Sequence, residues 1–174
     1  MSSSAVQIPA LDPPWPDDAV IMVVTSRAAP GWRSLAHQVA AAAQPGGNAA
    51  APGEGPGGRN GADSVEAAFL YRHADRVAGY LALASRAVTG HRSPAAGDRQ
   101  AAGAERAVRP CVTAVWVDEQ LRRHGVARQL VAAAARYAHV APAELAWGEP
   151  LTGSGYLLAR SIAAGGVWIA GGAG

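Results

Sequence analysis

From Val115 to Leu130 the chain reads V-W-V-D-E-Q-L-R-R-H-G-V-A-R-Q-L. An apolar, β-branched run passes through a polar turn into apolar residues at helical spacing. A strand that feeds directly into a helix constrains the fold strongly, because the helix must pack back onto the sheet that holds the strand. The turn has the spacing R-x-x-G-x-A, set by Arg122, Gly125 and Ala127. The first N–H groups of a helix lack partners within it and lie at the positive end of its dipole. Gly125 and the small Ala127 let an anion approach that backbone, while Arg122 and Arg123 add charge at the rim. This chemistry suits a pyrophosphate. It is not a Walker loop, which needs a lysine: all 15 Lys and Arg positions here are Arg.

Periodicity places this unit in a larger order. Ala19 to Thr25 predicts a strand, and Trp32, Leu35, Ala36, Val39 and Ala43 predict an amphipathic helix. Val65–Arg72 and Arg76–Ala84 predict two strands, and the short link His73-Ala74-Asp75 makes them a hairpin. Cys111–Val117 predicts a strand. Arg122–Val140 predicts a helix with one stripe of Val126, Leu130, Ala134 and Tyr137, stopped by Pro142. A short strand over Glu144–Trp147, a helix over Thr152–Ala163 and a strand over Val167–Ala170 complete an α/β (α+β) pattern. Residues 1–18 read as an irregular segment before one domain, 19–174. Residues 44–64 and 89–109 are low-complexity and hold too little apolar bulk to offset ordering entropy, so both are expected to be disordered insertions.

A chain of 174 residues fits one domain, and a formal net charge of +2 does not by itself imply a nucleic-acid partner. A single cysteine, Cys111, builds neither a disulfide framework nor a multi-cysteine zinc site, and no metal is expected. No apolar run reaches the roughly 18 residues of a membrane span. The start MSSSAVQIPALDPPWPDD has neither a basic nor an apolar stretch, so it does not read as a signal peptide.

The R-x-x-G-x-A loop after an apolar strand resembles motif A of the GNAT acetyltransferases, which hold the pyrophosphate of acetyl-CoA there. Further motifs narrow the resemblance. Ala146-Trp147-Gly148-Glu149-Pro150-Leu151-Thr152-Gly153-Ser154-Gly155 is similar to the A-F-S-D-P-T-x-x-G segment of the cohesion-establishment (Eco/ESCO type) acetyltransferases. Val115-Trp116-Val117 followed by Arg122-Arg123-His124-Gly125-Val126-Ala127 matches their I-W-V and R-R-x-x-I-A. Val20–Val24, Phe69-Leu70-Tyr71, Arg76–Ala82 and Val167-Trp168-Ile169 are similar to their strands, in the same order. The family usually carries, before this domain, a zinc finger of two cysteines and two histidines; one cysteine cannot build it, so the finger is expected to be absent here or to belong to an upstream region. The family's Asp before Pro-Thr is Glu149 here, Leu151 is an extra residue, and the Arg after its active-site Ser is Ala114.

The resemblance implies a GNAT acyl-CoA N-acyltransferase fold, with a central mixed, mostly antiparallel sheet flanked by helices. It implies an acetyl-CoA-dependent lysine N-acetyltransferase acting in the nucleus on a cohesin SMC subunit. Acetyl-CoA contacts are expected from Val115, Trp116, Val117, Arg122, Arg123, His124, Gly125, Val126 and Ala127, and from Thr152, Gly153 and Ser154. Glu149 is expected as the base or ammonium clamp, and Thr113, where the family has its Ser, as a second catalytic group. Tyr137 and Tyr156 are weighed as acids toward the leaving thiolate, against a plain packing role. The same residues also fit a bacterial-type, cytoplasmic GNAT enzyme acting on a small amine or another protein, or a CoA-binding module without turnover.

Overall fold

The computed structural model describes residues 6–43, 65–92, 107–149 and 151–170. Seven strands form one sheet: β1 (Val6–Gln7), β2 (Ile21–Thr25), β3 (Ala67–His73), β4 (Arg76–Arg92), β5 (Val108–Val117), β6 (Ala146–Gly148) and β7 (Val167–Ala170). The order is β2-β3-β4-β5-β6-β7, and β1 pairs with the start of β4. All pairings are antiparallel except β5–β6 and β6–β7. The expected mixed, mostly antiparallel sheet is therefore present.

Strand alternation sends side chains to two separate cores. On one face Phe69, Leu81, Leu83 and Val112 pack against α2 (Val126–Tyr137) and α3 (Gly153–Ile162). On the other, Leu70, Val77, Tyr80 and Ala82 pack against α1 (Pro30–Ala43), which buries Trp32, Leu35, Ala36, Val39 and Ala40. Residues 6–18 are largely irregular and mostly exposed, with Val6, Ile8, Leu11 and Trp15 turned to the α1 core. Trp15 is 8% exposed and stacks obliquely on Trp32 with ring centroids 5.2 Å apart.

Several boundaries differ from expectation. Helix α2 starts at Val126 rather than Arg122, because Arg123 (φ 69°) and Gly125 (φ 81°) take left-handed conformations that no α-helix accommodates. A 3-10 turn, Glu119–Leu121, precedes it. The helix ends at Tyr137 rather than Val140, since His139 (φ 56°) turns the chain away, and Pro142–Glu144 form a 3-10 turn before the shortened β6. Strand β4 runs on to Arg92, so residues 89–92 of the expected insertion are strand, as are Val108 and Arg109 at its other end. Residues 44–64 and 93–106 lie outside the described residues, as does Pro150.

The long β4 shapes the sheet. Its near end pairs with β3 and β5, and its far end pairs with β7, with His91 opposite Trp168. Because β7 also pairs with β6, the strands β4-β5-β6-β7 close on themselves around Val88, Cys111, Ala146 and Ala170. Strands β5 and β6 are thus tied together at that end, and only Cys111–Ala146 and Val112–Trp147 pair between them. Beyond Val112 the two strands part.

Candidate functional site

The parting of β5 and β6 begins at a β-bulge. Leu83 faces Val112 and Ala82 faces Ala114, which leaves Thr113 as an extra residue on β5. A bulge bends a strand and sharpens its twist, so it helps turn β5 away from β6. The Thr113 hydroxyl donates to the Ala82 carbonyl at 3.4 Å. Past the bulge, Ala114–Val117 pair with β4 on one side, and no strand among the described residues lies along the other. This open edge is about 13 Å long at about 3.3 Å per residue, and its backbone groups are available to a ligand that adds like a strand.

A cavity of about 290 Å³ occupies the gap. Val112, Thr113, Val115, Trp147, Gly148, Leu151, Thr152 and Gly155 line it from the α3 side, and Ala43, Tyr80, Ala114 and Trp116 from the α1 side. The cavity therefore borders both layers of the fold. Trp147 is 1% exposed, and its indole N–H is buried without a hydrogen-bond partner among the described residues. Such an unmet donor costs about 1–3 kcal/mol. A larger hollow, about 350 Å³, lies between α2, Ile21 and Pro142 and touches none of the candidate residues.

Strand β5 leads from the cavity to the anion-type loop. Asp118, 5% exposed, anchors the exit: its backbone N–H donates to Ala78 O at 2.9 Å, and its carboxylate accepts from Gln120 N at 3.0 Å. Arg122 reaches back to Val117 O (3.3 Å) and pairs with Glu119 (3.5 Å), leaving both side chains on the surface. His124 is exposed and shares a hydrogen between its Nδ1 and Arg122 O at 3.0 Å. Gly125 caps α2 without a side-chain bond, and the N–H groups of Val126, Ala127 and Arg128 have no partner among the described residues. Nothing lies within 4 Å of the position a Gly125 side chain would take. The loop is therefore an open helix start lined by N–H donors, of the kind a pyrophosphate binds. Val126 itself is buried and only its backbone faces outward.

The second expected segment also starts a helix. Thr152 caps α3, accepting from Gly155 N at 3.1 Å, and its hydroxyl lies 3.3 Å from Ser154 Oγ. Gly153 and Ser154 are exposed in the first turn. Thr152 lines the cavity, so cap and cavity wall are the same residue.

The structure brings Thr113, Val115, Trp116 and Thr152 into one cavity but does not bring every candidate there. Glu149 is exposed, directly follows the lining residue Gly148 and donates its N–H to Ala170 O at 3.1 Å. It stands at the margin of the gap rather than among the lining residues. Tyr137 packs edge-on against Phe69 with centroids 5.7 Å apart, and Tyr156 lies beside Arg160; neither lines the cavity. Cys111 is buried, and burial pushes its thiol up to about 12, partly offset by Arg86. It is no nucleophile at neutral pH.

Sequence reasoning passed over Tyr80. It sits opposite Trp116 on β4, is 2% exposed, and lines the cavity. Burial pushes its phenol up to about 12. The signal that finds it is the hairpin register, which sequence periodicity alone does not provide.

Residues 106–169 match the family model described as ESCO1/2 acetyl-transferase. None of the curated proteins matches the chain in sequence. Among solved structures, the fold is similar to the xEco2 acetyltransferase domain bound to a K105-CoA conjugate, with TM-score 0.64 and 17% identity, covering 88% of this chain and 93% of that one. It is also similar to another structure of the xEco2 acetyltransferase domain, with TM-score 0.61 and 13% identity, covering 98% of each chain.

Proposed function

We propose that this chain is an acetyltransferase of the Eco/ESCO type that transfers an acetyl group from acetyl-CoA to a protein lysine; the family-model match over residues 106–169 supports this reading. We propose further that the acceptor is on a cohesin SMC subunit and that the protein works in the nucleus. The observation that carries the enzymatic part is the gap at Thr113: one cavity bordered by both layers, beside an open strand edge that leads to the donor-lined loop of α2. The cohesin acceptor and the nuclear site rest on the Eco/ESCO resemblance alone.

Acetyl-CoA supplies an activated acyl carbon and a thiolate leaving group. The residues here hold it and choose its partner. Gly125 and the α2 N-terminus offer partnerless N–H groups to phosphate oxygens, with Arg122 and Arg123 at the rim. The open edge of Val115–Val117 offers backbone groups to an extended amide-bearing chain. At the gap, the lysine ammonium must lose a proton before its nitrogen bonds to the acyl carbon. Glu149, at the margin beside Gly148, is the carboxylate that clamps the ammonium and takes up that proton. Thr113 acts through the bulge: with its hydroxyl given to Ala82 O, it sets the strand geometry at the point of transfer.

The test is radiolabelled acetyl transfer to a cohesin SMC head fragment, with wild type and Glu149→Gln side by side. Label on lysine with wild type, and little with the variant, supports the reading. Transfer only to small amines or other proteins removes the cohesin acceptor. CoA binding without transfer to any amine removes the enzymatic reading and leaves a binding module.

A further inference from the structure

The α1 side of the cavity holds a polar group that the mechanism above does not use. We propose that Tyr80 is a second acceptor-binding residue of this site, its hydroxyl receiving the amine of the incoming lysine on the α1 face of the sheet. The proposal rests on the acetyltransferase reading given above. Tyr80 belongs to β4 and faces Trp116 across the β4–β5 pairing. The two therefore project on the same face, where the cluster around α1 takes them in. With Ala43 at the end of α1 and Ala114 on β5, they form the wall of the gap opposite Thr152 and Gly155.

Two observations point to a ligand. Tyr80 is 2% exposed as a whole residue. The residue lines a cavity, so the hydroxyl has somewhere to find a partner that is not protein. The rest of that wall is apolar or aromatic, which suits the aliphatic stem of a lysine and leaves one polar group for its end. The hydroxyl accepts an N–H from the amine, and burial keeps the phenol protonated, so it also holds a donor proton across the neutral range. The amine entering from the α1 face meets the acyl carbon at the gap beside Thr113, while the loop at Gly125 holds the other end of the donor. The two substrates then approach the gap from different layers.

Tyr80→Phe tests this, because it keeps the ring in its packed place and removes only the oxygen. Steady-state transfer to a lysine peptide is measured together with slow acetyl-CoA hydrolysis in the absence of acceptor. CoA-induced thermal protection is followed in parallel. The expected result is a KM for the peptide raised about tenfold, the usual loss for a hydrogen bond to a charged or ionisable group. Hydrolysis and CoA protection should stay at wild-type levels. Equal KM and kcat for the two proteins would overturn the assignment while leaving the enzymatic reading intact. So would equal losses in transfer and hydrolysis, which place the hydroxyl on the thioester instead. A wild type that acetylates no amine overturns both. Tyr80→Leu, which also removes the ring, should lose more than Tyr80→Phe if the wall grips the aliphatic stem.

Discussion

A side chain built on Gly79 would stand 3.0 Å from Val126 Cγ1 and 3.2 Å from Leu130 Cδ1. Gly79 is on β4, and Val126 is the first residue of α2, so the absence of a side chain on one strand sets how closely the helix start lies on the sheet. That start carries the partnerless N–H groups of the anion loop. The packing of a strand glycine is in this way coupled to the geometry of the binding loop.

Gly79→Ala should therefore cost both stability and binding. A methyl also meets Tyr71 Cβ at 3.0 Å, so no direction of relief is free. Overpacking of this kind costs about 1–3 kcal/mol. Urea unfolding should show that loss, and CoA should protect the variant less than wild type at equal concentration. A destabilised variant with undiminished CoA affinity would mean that the loop is indifferent to the seating of the helix.

Gly125 tests the loop directly. At φ 81° a side chain is strained, yet nothing lies within 4 Å of where it would begin, so Gly125→Ala should fold with a modest loss. Gly125→Glu places a carboxylate where phosphate oxygens need the backbone. In wild type, CoA at 100 times its Kd should add about 2.7 kcal/mol of apparent stability. Thermal unfolding with and without CoA should show that gain vanish in Gly125→Glu and persist in part in Gly125→Ala. A folded Gly125→Glu protein with the full gain would place the phosphates elsewhere.

Much of this architecture is local and therefore legible. The apolar run Val167–Ala170 and the helical spacing of Trp32, Leu35 and Val39 depend only on neighbours in sequence, and the elements stand where they were expected. The stretch Ser85–Arg92 is different. Its polar, glycine-containing composition reads as loop, and it becomes strand because β7, over seventy residues away in sequence, pairs with it. The parting of β5 from β6 at the Thr113 bulge is likewise a matter of pairing register, and so the cavity is invisible to periodicity. The strand-to-helix loop was readable because its chemistry is written in one segment, Arg122–Ala127. Tyr80 was not, because its role depends on a register and on the bulge at Thr113.

Alkaline pH should unfold the protein in a way that two residues control. The Tyr80 phenol is raised from 10.0 to about 12 and the Cys111 thiol from 9.0 to about 12, both mainly by burial. Between the unfolded and folded values the native chain keeps protons that the unfolded chain releases. Stability is then fully present below pH 9 and falls as pH rises toward 12, with a slope of up to about 1.4 kcal/mol per pH unit for each group. Urea midpoints between pH 8 and 10.5 should drop less steeply in Tyr80→Phe and Cys111→Ala. Parallel curves for all three proteins would show that these groups do not govern the transition.

Glu149 is the residue on which the transfer chemistry turns. It is exposed at the margin of the gap and tethered through its N–H to Ala170 O, so its backbone is placed by the β6–β7 pairing rather than by a loose loop. If its carboxylate clamps the ammonium and accepts its proton, Glu149→Gln should lower kcat by roughly 10²–10⁴, the usual contribution of a positioned base. CoA protection should be unchanged, because the loop at Gly125 is a separate segment. Wild-type activity should rise with pH as the amine loses its proton, and the variant should regain part of its loss at high pH, where the amine arrives neutral. Glu149→Asp should lose less, since it keeps the carboxylate and shortens only its reach. Steady-state rates from pH 6.5 to 9.5 separate this from a merely structural role, which would lower activity equally at every pH and in step with unfolding. A folded Glu149→Gln protein with wild-type kcat across that range would take the carboxylate out of the reaction and leave the amine to lose its proton to solvent.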